Sequence, residues 1–198
     1  MCDFDENCTP GIILETEYTA MELTDLTGNG AKDLLLITSD TSGKRVARLY
    51  QYDNGSMLPA GETATSQGTA AVERMQSGRV QDSKTAVFAE EKVANGAGLT
   101  TDIFVYSNDT LRNLALDGED TASQHHRPVA VYASDVNGDG ITELPRAVLM
   151  AGYGGHPRPM RCICRLVCLR HRQGSGQGCN HLSEHFGCVE PADRPEMA

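Results

Sequence analysis

Asp135-Val136-Asn137-Gly138-Asp139-Gly140-Ile141-Thr142-Glu143 is the stretch whose reading decides the fold. Side-chain oxygens stand at its first, third, fifth and ninth positions, and Gly138 and Gly140 let the backbone curl tightly between them. Oxygen donors at this spacing suit a hard divalent cation such as Ca²⁺. An EF-hand would place a bidentate Glu at the twelfth position, but Arg146 stands there, and Pro145 would break the exiting helix. The flanks, Val129–Ala133 and Ala147–Met150, are short apolar runs instead of amphipathic helices. The loop therefore reads as a tight connection between two strands. Its expected ligands are the side chains of Asp135, Asn137, Asp139 and Glu143 and the backbone carbonyl of Ile141.

A weaker copy, Asp25-Leu26-Thr27-Gly28-Asn29-Gly30-Ala31-Lys32-Asp33, lies 110 residues earlier (135 − 25). Here the corresponding ligands are Asp25, Thr27, Asn29 and Asp33, with the Ala31 carbonyl. The copy offers two carboxylates against three, so the later loop is expected to fill first.

The segments between the loops repeat a pattern. Leu34–Thr38 is an apolar run of buried-strand length, Arg45–Tyr52 alternates, and Asp53-Asn54-Gly55 is a hairpin turn. The order recurs as Thr85–Ala89, then Thr101–Tyr106, then the turn Ser107-Asn108-Asp109, then Thr110–Leu114. Tyr50-x-Tyr52-Asp53-Asn54 and Phe104-x-Tyr106-Ser107-Asn108 are offset by 54 residues (104 − 50), about half the spacing of the loops. The sequence thus reads as a repeat of about 55 residues, each a small antiparallel sheet. The middle copy, at Arg79–Lys84, has lost its ligand pattern, and the third begins at Val129–Ala133.

Both loops, each followed by a strand, resemble the FG-GAP or VCBS repeats of calcium-binding β-propellers, and are similar to the blades of integrin α-subunit propellers. The resemblance spans roughly residues 20–155. It implies an all-β fold of antiparallel, propeller-like blades, with structural Ca²⁺ in a hairpin of the blade. It further implies a surface or extracellular module for recognition or adhesion, whose partner would be a protein or a carbohydrate. Two departures stand out: Thr27 and Asn29 dilute the first loop, and Glu143 is longer than the family's usual Asp. Such propellers also close with more blades than the about three that fit in this chain, so open sheet edges would permit self-association.

Composition sets the outer limits. Twenty glycines, four Phe, six Tyr and no Trp in 198 residues suit a loop-rich β protein. A formal charge of −10 argues against nucleic acid, which needs a basic face. No run of 18 apolar residues encodes a transmembrane helix. The acidic start Met1–Glu6 shows no signal peptide, so an extracellular location would require a leader outside this chain. No nucleophile elbow, phosphate-binding loop or His-Glu-x-x-His is present, and His125-His126 sits in a polar turn. The chain therefore reads as a non-enzyme; the alternatives are an accessory or catalytic domain of a metal-dependent hydrolase, or a zinc-binding regulatory module.

Domain organisation follows from charge. Residues 1–156 carry 11 Lys+Arg against 23 Asp+Glu, and residues 157–198 carry 6 against 4. The expected division is a lead-in over 1–20, β repeats over 21–156 and a Cys/Arg/His-rich tail over 157–198. Five of the seven cysteines lie between Cys162 and Cys188, interleaved with His171, His181 and His185. That tail reads as irregular, disordered or non-native to the fold. Zn²⁺ and disulfides remain as other readings, and Cys162–Leu169 has the composition of a strand.

Overall fold

The computed structural model describes residues 17–53, 56–80, 84–93, 98–116, 126–128, 130–149 and 162–168. The expected all-β class holds: ten strands and one short 3₁₀ turn make up the regular structure of the described residues. Two four-stranded antiparallel meanders come first in the chain. One runs β1 (Tyr18–Thr24), β2 (Asp33–Ser39), β3 (Arg45–Asp53), β4 (Ser56–Ala64); the other runs β5 (Val72–Arg79), β6 (Thr85–Lys92), β7 (Leu99–Ser107), β8 (Thr110–Asn113). β9 (Glu143–Leu149) and β10 (Cys162–Cys168) form a two-stranded antiparallel pair.

The turns close as their residues dictate. Asp53 pairs with Ser56 at the end of the β3–β4 ladder. In the second sheet Asn108 and Asp109 both adopt positive φ, 51° and 55°, the geometry of a type I′ turn. Tyr52 pairs with Met57 and Tyr106 with Leu111, so in these hairpins the 54-residue offset in sequence is also an equivalence of register.

The second sheet is the middle layer. Val87, Ala89, Phe104 and Leu111 pack on Leu35, Ile37, Ala47 and Leu49 of the first sheet. Its opposite face, Ala86, Phe88, Ile103 and Val105, packs on Ala133 and Leu144. This is why Thr85–Ala89 reads as a nearly continuous apolar run instead of an alternating one: β6 is buried on both faces. Equivalent strands stack, β1 beside β5 and β4 beside β8. At Gly78 an added Cβ would lie 2.9 Å from Phe88 Cε2 and 3.2 Å from Thr142 Cβ. Gly78→Ala should therefore lower stability by about 1–3 kcal/mol, measured by urea unfolding.

Three expectations change. Val129–Ala133 is not a strand over its described residues; Arg127 and Ser134 instead make single antiparallel bridges to Leu99 and Glu143. β5, a polar strand, has no counterpart in the sequence reading. β10 lies inside the segment expected as an irregular tail, where Cys162–Leu169 also read as a strand by composition, and it pairs along its whole length with β9. The Zn²⁺ candidates His171, Cys179, His181, His185 and Cys188 lie outside the described residues.

Candidate metal centre

The two oxygen-rich loops leave their first strand or bridge and return into β2 and β9 respectively. They fold alike, position by position. Asp25 Oδ1 accepts from Gly28 N at 2.7 Å and its Oδ2 from Gly30 N at 3.0 Å. Asp135 does the same with Gly138 N at 2.7 Å and Gly140 N at 2.9 Å. Gly28 and Gly138 have φ of 79° and 78°, and Gly30 and Gly140 both 85°, a region that other residues adopt only under strain. Asn29 Oδ1 accepts from Ala31 N, as Asp139 Oδ1 does from Ile141 N, both at 2.7 Å.

The ninth position closes each loop from below. Asp33, only 1% exposed, accepts through Oδ2 from Leu26 N, Thr27 N and Thr27 Oγ1 at 2.8–2.9 Å. Its Oδ1 is buried without a partner. Glu143, 6% exposed, accepts from Val136 N at 2.9 Å. The longer Glu143 thus fills the role of the Asp at the first loop.

In the second loop the structure brings Asp135, Asp139 and Glu143 together, with one carboxylate oxygen from each lying within 4.8 Å of the others. Oxygens on opposite sides of a Ca²⁺ ion bound at 2.3–2.6 Å stand about 5 Å apart, so one ion can touch all three. Asn137 flanks them: its Nδ2 donates to Asp139 Oδ2 at 3.1 Å, and its Oδ1 accepts from Asp139 N at 2.9 Å. The first loop has Asp25 and Asp33, with the Thr27 hydroxyl already donating to Asp33. These donor sets fit a hard cation: all are oxygen, and the buried Asp33 Oδ1 lacks a donor that an ion would replace.

Sequence reading missed two buried acid clusters on β6. Glu90 and Arg127, both wholly buried, form an ion pair; Thr101 Oγ1 donates to Glu90 at 2.6 Å and Ala133 N at 2.8 Å. On the opposite face, Glu91 lies diagonally from Asp102 in the β6–β7 ladder. Gln67 N donates to Glu91 at 3.3 Å, and Ser66 N to Asp102 at 2.7 Å. Burial, reinforced by the negative charge of Asp102, pushes the Glu91 carboxyl from 4.5 up to about 8, against Gln67, Thr65 and the positive charge of Arg45. The folded chain then binds a proton that the unfolded chain releases between those values, so stability falls as pH rises from about 4.5 to 8. Glu91→Gln should flatten that slope: in melts across this range the variant should gain on the parent at pH 8 and match it near 4.5. The signal available in sequence was two adjacent carboxylates ending an apolar strand, one for each buried face.

Comparison of the chain with protein-family models, curated proteins and solved structures returns no match.

Proposed function

We propose that this chain is a calcium-binding β-repeat protein, its sheets stacked as propeller-like blades, with Ca²⁺ holding the inter-strand loops rigid. The observation that supports the reading is the shared geometry of two loops 110 residues apart, each ending in a buried carboxylate. A sequence that merely needed a turn would not require a buried acid at the ninth position of both. The ion's work is structural: it offsets the mutual repulsion of clustered carboxylates and ties the segment that enters each loop to the strand that leaves it.

Rigid loops and open sheet faces suit recognition of a protein or carbohydrate, at a cell surface or outside the cell, where free Ca²⁺ is abundant. Met21, Leu23 and Tyr52 are exposed on the first sheet and supply apolar contact area for a partner or a second copy. Calorimetric titration with Ca²⁺ tests the reading. Two sites are expected, the tighter one lost in Asp139→Asn; no heat of binding at millimolar Ca²⁺ would reject it.

A further inference from the structure

The two loops are alike inside but held differently from outside. The first is entered from β1, whose ladder with β2 runs from Tyr18↔Thr38 to Thr24↔Asp33. Its entry is fixed by its own sheet. The second is entered from residues 130–134, where no ladder exists and the single bridge Ser134↔Glu143 closes the loop.

What holds that entry is side chains of the second sheet. Glu90 Oε1 accepts from Ala133 N at 2.8 Å, and Gln76 Nε2 donates to Ala133 O. Both polar groups of Ala133, two residues before Asp135, are thus taken by β6 and β5. Arg127 completes the clamp: it pairs with Glu90, donates through Nε to Val131 O and through Nη1 to Thr101 Oγ1 at 2.9 Å. Its own backbone is anchored to Leu99 by N–H···O bonds of 2.9 Å in both directions. The loop's exit is pinned to the same sheet, with Thr142 N donating to Arg79 O at 2.8 Å.

We propose that Glu90, Gln76 and Arg127 are positioning residues for the second loop, so that its cation affinity is coupled to the docking of residues 127–144 on the second sheet. This rests on the calcium reading above. None of the three touches the ion; each fixes the backbone from which Asp135 projects. Removing one loosens the entry, and the three carboxylates must then be gathered at the moment of binding instead of beforehand. By linkage, an ion in the second loop tightens that docking by the same factor.

Ca²⁺ titration of the full chain tests this in two backgrounds, Asp25→Asn to read the second loop and Asp139→Asn to read the first. Glu90→Gln and, as a milder change that leaves the ion pair intact, Gln76→Leu should each weaken the second loop's Kd about tenfold. The first loop's Kd should stay unchanged, which a general loss of stability would not produce. Equal weakening at both loops, or an unchanged second-loop Kd in folded Gln76→Leu, would overturn the coupling. Absence of Ca²⁺ binding in the parent chain would instead overturn the calcium reading beneath it.

Discussion

Arg127→Met is expected to destabilise the fold by about 3–5 kcal/mol, because it leaves the Glu90 carboxylate buried without its counter-charge. Glu90 keeps Thr101 Oγ1 and Ala133 N as donors, but neither carries a charge. The Arg127 side chain also holds Val131 O and Thr101, so its loss frees the segment that carries the second loop. A double variant, Arg127→Met with Glu90→Gln, should be less damaged than Arg127→Met alone, since the stranded charge is gone. Urea unfolding of the four members of this cycle measures the coupling; additive losses would show that the pair is not the source of the cost.

Saturating Ca²⁺ is the second large effect. A ligand that binds only the folded chain stabilises it by about 2.7 kcal/mol at one hundred times its Kd. For a chain of this size that corresponds to a rise of about 5–10 °C in melting temperature. The rise should shrink in Asp139→Ala, which removes one of the three gathered carboxylates, and should be reversed by a chelator. Mg²⁺ should substitute poorly, because it demands a smaller, near-octahedral shell. A melting temperature indifferent to Ca²⁺ in both proteins would leave the loops as ordinary turns.

Much of this architecture is legible in the sequence because local chemistry and tertiary packing agree there. Leu34–Thr38 and Thr85–Ala89 lie within β2 and β6, and the Ser107-Asn108-Asp109 turn forms where it reads. The loops are legible because the position of each oxygen-bearing side chain is set by short-range geometry.

What escaped reading depends on partners far along the chain. β5, with Glu73, Arg74, Gln76 and Ser77, is an edge strand whose exposure alternates irregularly, so it carries no apolar signature. Val129–Ala133 looks like a strand by composition. Yet Arg127 and Gln76 take the carbonyls of Val131 and Ala133, and Glu90 takes the Ala133 amide, which leaves that stretch no ladder to join. The buried carboxylates of Glu90 and Glu91 find their partners 11 to 43 residues away, beyond the reach of any motif. In the tail, the strand composition of Cys162–Leu169 is legible, but its pairing with β9 is not.

Diffraction from crystals of this chain grown in Ca²⁺ addresses the central claim most directly. The account predicts an ion in the second loop, with oxygens of Asp135, Asp139 and Glu143 at about 2.3–2.6 Å. A second loop that stays empty at saturating Ca²⁺, its three carboxylates turned apart, would contradict it.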